Sequence, residues 1–321
     1  MAKFLVVRFS SIGDIVLTSP VVRCLKEQVE GAEVHFLTKK PFLGLLESNP
    51  HIDQVHSINS SVFEISDELK NVGFDYIIDL HNNLRSRQLK KMLKIMSFDF
   101  PKHNWEKWLL VNFKVNRMPK RHIVERYFDS VQAFQVKNDG KGLDYFIPES
   151  EELNPREEWG ISNYVAYGIG GNHIGKILPE EKIIATLGLW VSKGKSVILL
   201  GGPEDQARGE RIRAPFGDEV INACGSLSLH GSASVVRQAE AVIAHDTAIM
   251  HIASAFQKTV ISIWGCTVPE FGMSPYLPGF DSKMIQVEGL RSRPCSKLGK
   301  GLCKGFECMN GISEQAIADS I

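Results

Sequence analysis

The stretch Ala241-Val242-Ile243-Ala244-His245-Asp246-Thr247-Ala248-Ile249-Met250-His251 joins an apolar run of strand length to the start of an apolar helix. An apolar run this short, bounded by polar residues, reads as a strand buried on both faces, as parallel sheets require. Asp246 or Thr247 supplies the N-cap. The unsatisfied N–H groups at such a helix start suit a phosphate or sugar oxygen. His251 falls about one helical turn further on, where it can face the same mouth. A lone histidine on a helix is as readily a packing residue, so both readings of His251 stand.

The same alternation extends outward in both directions. Residues 259–264 form a further strand, and 196–200 another that ends in Gly201-Gly202. Helices are expected over 179–191 and near 204–213, and a strand over 164–169 opens this half. The N-terminal third repeats the pattern, with strands at 3–9, 34–37 and 75–80 and helices at 21–30 and 41–47. Pro20 suits the first turn of a helix capped by Thr18 or Ser19. Strands alternating with helices define βαβ units and parallel sheets. Residues 137–160 interrupt the rhythm with Gly140, Gly142, Pro148, Pro155 and several acids, a linker composition. The expectation is an α/β protein of two doubly wound, Rossmann-like domains, 1–155 and 160–310. Residues 311–321 are expected to form a C-terminal helix packed back on the first domain.

Three more strand ends carry chemistry. Ser10-Ser11-Ile12-Gly13-Asp14 follows the first strand, where a doubly wound sheet meets its ligand. Asp14 is either a helix cap or a general base, made more basic by desolvation in a closed cleft. The turn lacks G-x-G-x-x-G, which argues against a nicotinamide or flavin dinucleotide. Gly168-Ile169-Gly170-Gly171-Asn172, followed by Lys176, presents backbone N–H groups and a cation to a diphosphate. The alternative is a plain turn with a solvated lysine. Gly201-Gly202-Pro203-Glu204-Asp205 places acids either on ribose hydroxyls or at a helix start favoured by the dipole.

Composition narrows the field. The 321 residues are 43% hydrophobic and 23% charged, with 37 basic and 37 acidic side chains. That balance argues against a dedicated nucleic-acid binder. The opening apolar run, broken by Arg8, is too short for a signal peptide, and no stretch approaches a membrane span. A cytoplasmic location is expected, with the six cysteines reduced or metal-bound.

In order and spacing the motifs resemble the lipopolysaccharide heptosyltransferase family. They are Ser10-Ser11-Ile12-Gly13-Asp14 with Pro20, Asp246-Thr247-x-x-x-His251, and Trp264-Gly265-x-Thr267-x-Pro269. The resemblance runs over essentially the whole chain. It implies a GT-B fold and inverting transfer of heptose from an ADP-sugar donor to a lipopolysaccharide core acceptor, with no cofactor or metal. By position it makes Asp14 the general base. Ser10, Ser11, Gly13, Gly170, Asn172, Gly202, Asp246, Thr247 and His251 line the donor site, with Lys176 at the diphosphate and Glu204 near the nucleoside. The family usually has glycine where this chain has Ala248. A nucleotide-sugar epimerase of the same fold, or a non-catalytic nucleotide- or glycan-binding relative, is the rival reading.

Between residues 84 and 126 there are twelve basic residues against three acids, interleaved with Phe98, Phe100, Trp105, Trp108 and Phe113. Such a mixture suits single-stranded nucleic acid, an anionic lipid surface or a helix-rich solvated surface. Given the resemblance, an anionic lipid-sugar acceptor at the inner membrane is the expected partner. Arg85, Lys120, Arg121 and Arg126 are the acceptor-phosphate candidates. Cys295, Cys303 and Cys308 lack a C-x2-C pair, so structural thiols are preferred to a metal site completed by His230.

Overall fold

The computed structural model describes residues 2–300 and 305–321, and the chain divides into two compact units. Unit one holds Met1–Lys102 and Arg121–Phe146; unit two holds His103–Lys120 and Ile147–Ile321.

Unit one runs β1 (Lys3–Val7), α1 (Ile12–Val16), α2 (Ser19–Gln28), β2 (Glu33–Lys39), α3 (Gly44–Glu47), β3 (Gln54–Ile58), α4 (Ser66–Val72), β4 (Tyr76–Asp79), α5 (Leu84–Leu93) and β5 (Met96–Asp99). After an excursion through α6 (Asn104–Phe113), which belongs to unit two, it closes with α7 (Ile123–Tyr127). The strands lie parallel in the order β3-β2-β1-β4-β5. The chain therefore leaves β1 first to one side and then to the other, and a crevice opens beyond the ends of β1 and β4. Leu5, Val7, Leu37 and Ile77 pack one face of this sheet against Leu69 and Leu89. Ser10–Asp14, read as a turn, is instead the entry to α1, with Ser11 as N-cap and Asp14 in its first turn.

The expected linker is tied down at both ends. Arg23 on α2 pairs with Asp139 and Asp144 and donates to the Gly142 carbonyl at 2.9 Å.

Unit two runs α8 (Pro155–Trp159), β6 (Tyr164–Gly168), α9 (Glu180–Val191), β7 (Ser196–Leu200), α10 (Gln206–Arg213), β8 (Val220–Asn222), α11 (Leu229–Gln238), β9 (Ala241–His245), α12 (Ala248–Ala255), β10 (Thr259–Trp264), β11 (Lys283–Gln286), α13 (Glu307–Asn310) and α14 (Glu314–Ala318). Glu152 pairs with Arg237 on α11, which fastens the far end of the linker. The parallel order is β11-β10-β9-β6-β7-β8, so this sheet reverses at β6 and β9. Strands β6, β7 and β9 are almost wholly buried, which is why their sequences are apolar runs rather than alternating ones.

Two expectations about the units are corrected. The first concerns the C-terminal helix. It packs on its own unit, where Lys182 of α9 donates to Glu314 and to the Ile312 carbonyl, both at 2.8 Å. Trp190 Nε1 donates to the Ala318 carbonyl at 3.2 Å, and Ile317 and Ala318 lie in the core beside Ile183 and Leu187. The apolar face of α14 is needed to cover α9. The second concerns the boundary, which falls at Phe146/Ile147 rather than near 155–160, and residues 103–120 join unit two. Leu110 holds them there, packed against Val268 and Phe271.

Removing the buried Ile317 side chain leaves a cavity under α14. Ile317→Ala is expected to lower stability by about 2–5 kcal/mol in urea unfolding. A loss below about 0.5 kcal/mol, the range of ordinary surface changes, would contradict this packing role.

Candidate active site

In unit two, four segments meet beyond the ends of β6, β9 and β10. Lys176 Nζ lies 2.7 Å from Asp246 Oδ2 and donates to the Asp246 carbonyl at 3.1 Å. Thr267 Oγ1 donates to Asp246 Oδ2 at 2.8 Å. The Cys266 amide donates to the Gly175 carbonyl at 3.2 Å, which joins the loop after β10 to the loop after β6. Arg293 closes the group from the C-terminal segment, donating to the Gly265 and Thr267 carbonyls at 2.6 and 2.9 Å. Gly299 (φ +82°) lets that segment pass close to Lys176: a Cβ there would sit 2.8 Å from Lys176 Cγ.

The expected donor residues Gly170, Lys176, Asp246 and Thr247 are therefore neighbours on one sheet end. Thr247 is the N-cap of α12, and Ala248 is its first residue. A Cβ on Gly170 would lie 2.2 Å from Asp205 Oδ2, so glycine is what lets the β6 loop meet the β7 loop. Asp205 also accepts from the Gly202 amide at 3.1 Å, with burial pushing its carboxyl up. Of the two acids after β7, Asp205 thus acts as the inner clamp while Glu204 stands exposed, as does Asn172. His251 corrects an expectation: it is buried in α12 and presents almost no surface to the mouth. His245, the last residue of β9, is buried as well. Nε2 of His245 accepts the Leu178 amide at 3.0 Å, and burial, reinforced by Arg208, pushes the ring down to about 3.

In unit one the two ends at the sheet reversal are also joined. Arg8 Nη2 lies 2.5 Å from Asp14 Oδ1, and Arg8 donates to the Leu80 carbonyl at 2.6 Å and to Tyr127 Oη at 3.1 Å. The Ser11 amide and hydroxyl donate to Asp14 Oδ2 at 3.1 and 2.7 Å. Asp14 is thus both a helix-start residue and one half of an ion pair, held by donors on both oxygens. Burial opposes the Arg8 charge, but Asp14 and Tyr127 outweigh it and keep the guanidinium above its ordinary range. Ser10 and Gly13 flank this arrangement; the Ser10 carbonyl accepts from Arg8 Nε at 2.8 Å.

His81 was not singled out in the sequence. Its Nδ1 accepts the Phe9 amide at 3.2 Å, and burial, with Arg8 and Lys102, pushes it down to about 3. The ring is therefore neutral with its proton on Nε2. Its only sequence signal was position, immediately past the strand that pairs with β1.

The basic candidates divide. Arg85 donates to the Ser60 carbonyl at 2.8 Å and stands over the Phe9 ring at 5.3 Å. Arg121 forks onto Asp129 at 3.2 and 2.8 Å, and Lys120 is exposed. Arg126 is corrected: it is 0% exposed, packed inward with Val124 and Tyr127 of α7, and offers no surface to a phosphate. Among the cysteines, Cys308 is a core residue and Cys295 packs against that core. Cys303 lies outside the described residues.

Two parallel sheets, each reversing at a joined pair of loops, match the GT-B fold. The model of glycosyltransferase family 9 (heptosyltransferase) matches residues 62–298. Over 293 residues the chain is 21% identical to lipopolysaccharide heptosyltransferase 1 of Campylobacter coli, covering 83% of this chain and 84% of that one. A glycosyl transferase of family 9 from Veillonella parvula superposes with a TM-score of 0.80 at 19% identity, covering 99% of this chain and 95% of that one. The E. coli heptosyltransferase WaaC with ADP superposes at 0.68 and 19% identity, covering 99% and 100%. The chain belongs to glycosyltransferase family 9, the heptosyltransferase family, and is a glycosyltransferase. Among the described residues no helix is long and apolar enough to cross a membrane.

The buried His245 makes a pH prediction. Its folded value near 3 lies below the roughly 6.5 of an unfolded histidine. The stability it confers as a neutral ring is complete above about pH 6.5 and drains as pH falls toward 3. Going from about pH 7.5 to about pH 5 removes about 2 kcal/mol through this residue. His245→Gln, which keeps an acceptor for the Leu178 amide, should show a correspondingly shallower pH dependence in chemical denaturation. Equal slopes for the two proteins would refute the assignment.

Proposed function

We propose that the protein transfers heptose from ADP-heptose to a hydroxyl of an anionic lipopolysaccharide core acceptor, in the cytoplasm at the inner-membrane face, with inversion at the anomeric carbon. The observation that carries this reading is the Lys176–Asp246 contact at the reversal of the second sheet, flanked by the glycine loop after β6 and the capped start of α12. A diphosphate there meets backbone N–H groups of the 170–172 loop and of the α12 start. Lys176 keeps a donor beyond the two it gives Asp246 and opposes the charge that builds on the leaving group. Gly202 permits close approach of the nucleoside, and Glu204 takes its hydroxyls. In unit one, Ser10, Ser11 and Gly13 form a small-residue stretch around Asp14 that suits a sugar ring.

The acceptor phosphates bind Arg85, Lys120 and Arg121. The acceptor oxygen attacks the anomeric carbon as the bond to the diphosphate oxygen breaks. That electron pair leaves on ADP, and the acceptor proton passes to the Asp14 carboxylate. One C–O bond is exchanged for another without change of oxidation state, so no redox cofactor enters. The ion pair with Arg8 and the two bonds from Ser11 hold the carboxylate in one orientation, which general-base geometry requires.

Asp14→Asn is expected to leave ADP affinity by calorimetry nearly unchanged and to cut turnover by roughly 100-fold or more. Full turnover by this variant removes Asp14 from the mechanism. Lys176→Ala should weaken ADP binding itself, by roughly tenfold for a lost charge-assisted contact. Consumption of ADP-heptose with no sugar appearing on an acceptor would favour an epimerase instead.

A further inference from the structure

Helix α6 carries apolar side chains on two opposite faces. Leu110, with Val111 and Met118 beside it, fastens one face to Val268 and Phe271. The other face points to solvent: Trp105 is 63%, Trp108 45% and Phe113 61% exposed. These three rings already form a cluster. Trp105 and Trp108 stack at 4.8 Å between centroids, and Phe113 meets Trp108 edge-on at 5.2 Å. Trp105, Trp108, Phe113 and Val115 are four of the twelve large apolar side chains exposed among the described residues. A soluble surface rarely gathers aromatics in this way without an occupant.

The charge around the cluster selects that occupant. Residues 103–120 hold Lys107, Lys114, Arg117 and Lys120 against the single acid Glu106. Lys297 Nζ donates to Asn104 Oδ1 at 2.9 Å, bringing the segment 291–300 to the start of α6. Besides the inward-turned Arg293, that segment carries exposed Arg291, Lys297 and Lys300 and no acid, and its Leu298 is half exposed. Indole rings beside lysine and arginine suit the boundary of an anionic bilayer, where the rings enter the headgroup layer and the cations meet lipid phosphates.

The geometry points to α6 as a membrane-docking helix: its Trp105–Trp108–Phe113 face inserts into the headgroup region of an anionic leaflet, with the surrounding cations holding it there. This gives the lipid-borne acceptor of the proposed function a surface to be met on, and to that extent rests on that reading. Vesicle binding, however, is measured without donor or acceptor, so each can fail alone.

The experiment is flotation of the full chain with vesicles of phosphatidylcholine, alone or in equal parts with phosphatidylglycerol. The protein is expected to float with the anionic vesicles, with a blue shift in tryptophan emission, and to be released as salt screens the cations. Trp105→Ala/Trp108→Ala should weaken this by roughly tenfold or more, while Trp105→Phe/Trp108→Phe keeps most of it. ADP binding and transfer to a lipid-free acceptor fragment should be unchanged in both. Arg117→Glu provides a second arm, lowering binding to anionic vesicles without removing any aromatic group. The proposal is overturned if the wild-type chain does not float, or if the Ala pair floats equally well. It is also overturned if the Ala pair loses transfer to the lipid-free fragment, which would make the rings part of the sugar-acceptor site. A wild-type dimer that the Ala pair dissolves in sedimentation would likewise overturn it, making the occupant a second copy. Vesicle binding with no transferase activity would leave the docking surface standing and remove the functional reading.

Discussion

A parallel sheet that extends from its first strand in both directions must part its connecting loops at that strand, and the polar contacts of the candidate site gather where that happens. In unit two the parting lies between β6 and β9, in unit one between β1 and β4. Each gap is spanned by an ion pair or a charged hydrogen bond rather than by apolar packing. Lys176 reaches from one loop to Asp246 on the other, and Arg8 reaches from the end of β1 to the Leu80 carbonyl. Such contacts leave the ends of the strands polar and open to a ligand while fixing the loops to one another.

The two sites are unlike in electrostatic character, and this matches a division of labour. At the β6–β9 end a lysine and the start of α12 supply positive potential, as the proposed leaving diphosphate requires. At the β1–β4 end a carboxylate is anchored by an arginine and a serine, beside a histidine that burial keeps neutral. The neutral His81 ring adds no positive charge beside Asp14 and retains a ring N–H for hydrogen bonding. Fixing a base and leaving-group charge on separate rigid elements is what displacement at a sugar carbon asks of a protein scaffold.

Much of the fold was legible because buried parallel strands are written as apolar runs. Strands β1, β6, β7, β9 and β10 announce themselves in this way, and Thr18, Pro20 and Thr247 mark helix starts by local rules. The edge strands did not. β11 is Lys-Met-Ile-Gln, β8 has three residues, and β3 contains His56, so none shows a clean apolar pattern. The site was legible as a set of loops but not as contacts. The 70-residue separation of Lys176 and Asp246 and the inward turn of Arg126 depend on tertiary packing, which spacing along a chain does not encode. The same holds for residues 103–120, whose basic and aromatic composition was plain while their attachment to unit two through Leu110 was not. His251 followed helical spacing, but burial rather than ligand access decided its place.

Hydrogen exchange measured with and without ADP is the most direct test of the proposed donor crevice at the second sheet reversal. Binding should slow exchange at the amides of 170–176 and 246–249, the two loops joined by Lys176 and Asp246. Unchanged exchange at both loops, with protection appearing at some other surface of unit two, would show that the nucleotide binds elsewhere.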